Sequence, residues 1–156
     1  RELYFYGMYE EAAEEFRRHL SLSKSWWKPQ RAASYRYLGE CEPQNSHYWW
    51  RLGYEEDPTR RECAFKLTEY YYNLEDWEEC REWAEKTIAI AEKSLDYFCE
   101  PWAWSFSAHD YLALSYYNLG EYEKSLEQGK IALSLDPSNE RLAVNISYYT
   151  EKLQEN

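Results

Sequence analysis

A chain of 156 residues has room for one domain with a core of its own. Its net charge of −11 sets it against nucleic-acid phosphates and anionic lipid, so neither nucleic acid nor membrane is expected as a partner. Hydrophobic residues at 44% and aromatic residues at 19% exclude a disordered acidic tail, and only five Gly and five Pro interrupt what should be helix.

The chain opens with RELYFYGMYEEAAEEF, the tail of one helix over 2–6, a turn at Gly7-Met8, and a second helix from Tyr9 to about 23. It starts in mid-helix without a cap, which suggests a fragment whose N-terminal neighbour is missing, so 1–25 is a partial pair. The second pair, 26–58, has helices over 29–41 and 46–57 joined at Pro43, and Pro58 ends it by excluding helical geometry before it. The third pair, 59–93, has helices over 59–73 and 76–93 and is followed by an insertion loop, 94–106. The fourth, 107–137, has helices over 107–119 and 122–135, and a capping helix within 138–156 starts with Ser138 as N-cap.

The pairs share one frame. Tyr9, Pro43 and Trp77 mark successive turns 34 residues apart, and Tyr122 follows after 45, the same period plus an 11-residue insertion. Asp57-Pro58 and Asp136-Pro137, 79 residues apart, give the same register independently. Ala12, Ser46, Cys80 and Ser125 sit three residues after each marker, where the second helix must approach the first, and Tyr37, Tyr71 and Tyr116 are wedges at one equivalent position. A period of 34 with these packing reasons resembles the tetratricopeptide helix-turn-helix repeat. The expected fold is all-α, an α-solenoid of antiparallel helix pairs, about three and a half repeats plus the capping helix, curved with the first helices on the concave side.

Chemistry-bearing motifs are few. His19, His47 and His109 are isolated, and Cys41, Cys63, Cys80 and Cys99 lack CxxC or Cys-His spacing, so no metal site is expected and the cysteines read as reduced thiols in a cytoplasmic protein. Phosphate-cradle and nucleophile-elbow glycine motifs are missing, and the carboxylates fall in solvated helix-face patterns, so no catalytic residue and no cofactor is expected.

The concave side carries the functional expectation. Helical periodicity turns Arg31 and Tyr35, then Phe65, Lys66, Glu69 and Tyr72, then Asp110, Tyr111, Leu114 and Tyr117 inward, an aromatic groove with mixed charge that suits a peptide. Arg31 and Lys66 alone match the basic clamp with which some tetratricopeptide domains grip a C-terminal carboxylate, so that mode is disfavoured. Trp26, Trp27, Trp102 and Trp104 lie in connections, either plugging gaps between pairs or forming a docking face; stacking on sugars is the rival from a different class.

The stretches WWKPQRAASYRYLGEC, LEDWEECREWAEKTIAI and DYFCEPWAWSFSAHDYLALSYYNLGEYEKSLEQGKIALSLDPSNERLAVNISYY resemble the tetratricopeptide region following the catalytic domain of bacterial and phage family 2 glycosyltransferases. The likeness runs through Tyr97, Glu100, Ala103 and Trp104 in the insertion and Arg141, Leu142, Asn145, Tyr148 and Tyr149 at the end, with Glu140 where the family has Asp. It implies no catalytic residue here, because that family's Asp-x-Asp motif lies upstream. It implies a scaffold that positions an acceptor, mediates self-association as a homo-oligomer or braces its own catalytic domain, against the alternative of a free-standing adaptor that binds a protein or peptide.

Overall fold

The computed structural model describes residues 1–155, and among them the secondary structure is helical with no strand. Helices α1 (Glu2–Phe5) and α2 (Tyr9–Ser21) form the first, partial pair. Next come α3 (Lys28–Cys41) with α4 (Ser46–Glu56), α5 (Arg61–Asn73) with α6 (Trp77–Ala89), and α7 (Ser107–Asn118) with α8 (Tyr122–Leu135). Helix α9 (Glu140–Glu155) packs on α8 and closes the stack. Each helix packs on its sequence neighbour, and α5 also touches both α3 and α7, so the first helices form the tighter, inner side of the curve.

The turns show why the frame holds. Three of the four place a residue in the left-handed region two positions before the marker aromatic: Gly7 (φ 77°), Glu75 (φ 56°) and Gly120 (φ 80°). Glycine carries no Cβ penalty there, whereas Glu75 does. Asp76 then opens α6 by accepting the Glu79 amide on its side chain at 3.2 Å. The second pair turns differently, α3 running on to Cys41 and Pro43–Asn45 forming a 3₁₀ turn.

Packing follows the register. Ala12, Ser46, Cys80 and Ser125 are all buried, and two equivalent contacts recur: Cys80 Sγ donates to the Thr68 carbonyl at 3.5 Å and Ser125 Oγ to the Ala113 carbonyl at 2.8 Å. The wedge tyrosines reach back to the preceding pair. Tyr37 stacks on Phe16 at 5.1 Å, Tyr71 Oη accepts from Arg51 at 2.8 Å, and Tyr116 Oη donates to Glu85 at 2.6 Å. Between α3 and α4, Trp50 Nε1 donates to the Arg36 carbonyl across Gly39, which leaves no room for a side chain.

Several boundaries differ from the sequence reading, among them the end of α2 at Ser21 rather than 23 and the start of α5 at Arg61 rather than 59, and two differences have a visible cause. Helix α6 stops at Ala89 rather than 93, because Arg61 Nε donates to the Ile90 carbonyl at 2.8 Å and its Nη2 to Ile88 O at 3.3 Å, taking the last carbonyls of the helix. The capping helix starts one residue late, since Asn139 rather than Ser138 accepts the Leu142 amide, while Ser138 Oγ donates to Asp136.

A Cβ on Gly39 would lie 2.3 Å from Trp50 Nε1, so Gly39→Ala is expected to destabilise the fold by roughly 1–3 kcal/mol, read as a fall of several degrees in thermal unfolding. Glu75→Gly is expected to move the midpoint the other way, by about 0.5–1 kcal/mol, by relieving the left-handed strain.

Candidate peptide-binding groove

The inner faces of α5 and α7 carry an aromatic ladder, extended by a ring of the insertion at one end and by the first residue of α6 at the other. Trp102, from a 3₁₀ turn at Pro101–Trp104, lies 5.4 Å from the Phe65 ring; Phe65 lies 6.0 Å from Tyr111, Tyr111 4.6 Å from Tyr72, and Tyr72 5.9 Å from Trp77. One hollow beside it, about 220 Å³, is lined by Phe65, Lys66, Glu69, Ser105, Ser107 and Tyr111 together with Trp102. A second, about 310 Å³, lies across Trp102 and is lined by Tyr4, Phe5, Arg36, Glu40 and Glu100. Lys66 borders both, its ammonium 5.0 Å from the Trp102 ring. Burial pushes the Tyr111 hydroxyl up to about 12, with Glu69 adding to it, so at neutral pH this ring offers a neutral donor.

Beneath the ladder lies a set of buried ions that ties the insertion to the first helices. Arg36, only 4% exposed, donates to Glu40 of its own helix at 3.1 Å and to Glu100 of the insertion at 2.7 Å, with its guanidinium over the Tyr37 ring at 4.1 Å. Arg60 holds Asp96 bidentately at 2.6 and 3.1 Å and Glu62 at 3.4 Å, and the Glu100 amide donates to Glu62 at 3.0 Å. Arg61 lies under the Trp104 ring at 3.9 Å. Desolvation pushes the Asp96 carboxyl up, but hydrogen bonds from Arg60, Ser94 and the Phe98 amide outweigh it and hold the group below its ordinary value.

Of the ten residues expected inward, five assemble around the ladder: Phe65, Lys66, Glu69, Tyr72 and Tyr111. The others are turned elsewhere. Arg31 pairs with Glu56 at 3.0 Å and donates to the Leu20 carbonyl, and Tyr35 stacks on Trp49, so both serve the contact between second helices and α3. Asp110 is buried against Arg141 of α9 at 2.7 Å, Tyr117 packs on Tyr122 and Tyr149, and Leu114 is half-buried on α7. Among the connection tryptophans only Trp26 is exposed, at 80%. Trp27 packs on Tyr97 and Phe98 of the insertion, and Trp102 and Trp104 lie on Phe65 and Arg61, so the four do not form a shared sugar-stacking platform.

Arg36, Arg60, Arg61, Asp96 and Glu100 are the site residues that helical periodicity missed. Their signal in the sequence was the pair of acids in the insertion, Asp96 and Glu100, facing cations on the helices before it. All four cysteines are free, and burial raises each thiol, Cys63 up to about 12 and Cys80 up to about 11, so none is activated as a thiolate by its surroundings. Among the described residues no group of His, Cys, Asp and Glu could hold a metal ion, and no helix is long and apolar enough to cross a membrane.

A carboxylate depressed in the folded state stabilises above its unfolded value and loses that contribution as pH falls through the folded one. Docking of the insertion through Asp96 should therefore be unchanged from pH 7 to about 5 and lost progressively below about pH 4, where unfolded Asp titrates, measured as the rate of limited acid-protease cleavage within 90–98.

Residues 61–155 match the family model described as the prolyl 4-hydroxylase peptide-substrate-binding domain, a tetratricopeptide model. Among solved structures, the chain is similar to a crystal structure of MamA at a TM-score of 0.73 and 17% identity, covering 96% of this chain and 81% of that one. It is similar to MamA AMB-1 at a TM-score of 0.69 and 17% identity, over 98% of this chain and 78% of that one. A third, MamA MSR-1, gives 0.65 and 18%, over 98% and 82%. At such identities the likeness to MamA is one of fold alone.

Proposed function

Because the chain belongs to the tetratricopeptide family of the prolyl 4-hydroxylase peptide-substrate-binding domain, we propose that it is a non-catalytic protein-interaction module whose inner groove holds an extended peptide segment. The observation that carries this reading is the ladder from Phe65 through Tyr111 and Tyr72 to Trp77, whose Phe65 end is covered by Trp102 of the insertion, with hollows on either side of that ring. Large flat rings on a preformed helical surface give contact area at low entropic cost, and Glu69, Lys66 and the Tyr111 hydroxyl supply directional polar contacts along it. The peptide-binding role named for the family fits this groove better than the carboxylate clamp, since of the two basic residues that match the clamp only Lys66 lines the groove.

The resemblance to the tetratricopeptide region of family 2 glycosyltransferases supplies a setting for the module. There it would brace a neighbouring catalytic domain, position that domain's acceptor, or join two copies. An upstream coding sequence continuous with an Asp-x-Asp domain supports the setting, and a stop codon in that frame removes it.

The groove itself is tested by Tyr72→Ala combined with Tyr111→Ala. Selection from a displayed library of extended peptides on the unaltered chain supplies the ligand. The double variant should bind it at least tenfold more weakly, about 1.4 kcal/mol, with far-ultraviolet circular dichroism unchanged. Equal affinity, or selected peptides that map to the outer helices, would end the reading.

A further inference from the structure

The insertion lies across the inner faces of α3, α5 and α7 in the manner of a bound peptide. It enters through Ala91, Glu92 and Lys93, all exposed and outside any helix, passes through the 3₁₀ turn at Pro101–Trp104 and re-enters α-helix at Ser107. Between those points three of its groups are held by buried partners on the first helices: Asp96 by Arg60, Glu100 by Arg36, and the Glu100 amide by Glu62. Trp102 and Trp104 then lie over Phe65 and Arg61, and Ala103 is wholly buried between them. Acidic and aromatic side chains in an irregular segment are thus received by cations and rings on a helical floor, the complementarity expected of a ligand and its site.

The arginines that receive the segment each keep a carboxylate without it. Arg36 keeps its hydrogen bond to Glu40, one turn along α3, and Arg60 keeps an ion pair with Glu62 at 3.4 Å while giving up its two side-chain hydrogen bonds to Asp96. Departure of the insertion would therefore cost hydrogen bonds but leave neither buried charge orphaned, so the larger cost of an unpaired buried ion does not lock the segment in place.

We propose that residues 94–104 are a resident ligand that occupies part of the concave groove. Its trans counterpart is a segment of the same chemistry: two carboxylates four residues apart and a tryptophan two residues beyond the second, as in Asp96, Glu100 and Trp102. This rests on the reading of the groove as a peptide site and names the class of peptide. Tethered in cis, the resident segment competes at an effective concentration on the order of millimolar, so a partner gains access when its affinity or local concentration exceeds that. The 94–104 segment is then the module's threshold for engagement, set by its own ion pairs.

The test is a labelled synthetic peptide of residues 94–106, carrying Cys99→Ser to prevent oxidation, titrated against the whole chain and against the whole chain with Asp96→Asn and Glu100→Gln. The double variant should be cleaved faster by protease within 90–98 at unchanged helicity, and should bind the peptide at least tenfold more tightly than the unaltered chain. A scrambled peptide should bind neither. Three results would each overturn the proposal: an insertion in the variant that stays as protected as before, equal affinity for the two chains, or binding of the scrambled peptide. Loss of the tyrosine effect described above would instead sink the groove reading while leaving the release of the insertion measurable, so the two failures are distinguishable.

Discussion

Burial of the Arg36 guanidinium constrains everything on the inner face. At 4% exposure it has left nearly all of its water behind, a transfer worth several kcal/mol against folding unless anions and hydrogen bonds replace what was lost. Replacement comes from two directions, Glu40 within the helix and Glu100 from 64 residues along the chain, with the Tyr37 ring beneath. Desolvation opposes the charge here, yet those neighbours leave the group more basic than an ordinary arginine, so it is a permanent cation. A fixed positive charge at the centre of a curved stack decides where the insertion goes, and the insertion decides which part of the ladder is open.

The solenoid was legible because its rules are local. A small residue three places after a turn, an aromatic wedge on the first helix and a proline after the second each have a steric reason within a few residues, and they recur at fixed spacing. The second turn was the weak point in the sequence, lacking a glycine, and the structure resolves it with a 3₁₀ turn at Pro43–Asn45 that needs no left-handed residue. Glu75 marks the opposite compromise, keeping the left-handed turn without the residue best suited to it.

The groove was half legible, for a physical reason visible in α3. Ala32, Ala33, Ser34, Arg36, Tyr37, Leu38 and Gly39 are all buried, so the helix has no wet stripe from which its orientation could be read. Periodicity alone therefore placed Arg31 and Tyr35 inward when both serve contacts elsewhere, and it passed over Arg36. Helix α5 kept a half-buried edge at Lys66 and from Glu69 to Tyr72, and there the inward assignment of Lys66, Glu69 and Tyr72 agrees with the geometry. In α7, Asp110 and Tyr117 were drawn away by a helix that follows them, through Arg141 and Tyr149, and a single-helix pattern cannot report that.

Charge arranges these parts into a consistent picture of access. The molecule as a whole is acidic at −11, so an acidic segment approaching from solution meets repulsion until it is within about 8 Å, the screening length at physiological salt. Inside that distance it meets the cations of α3 and α5 in a partly dry groove where each contact counts for more. The cis insertion does not pay the approach cost, because its tether already places it inside the field. Acidic ligands from outside are thus disfavoured at long range and favoured at contact, which slows association and rewards a partner brought near by other means, such as a neighbouring domain or a second interface.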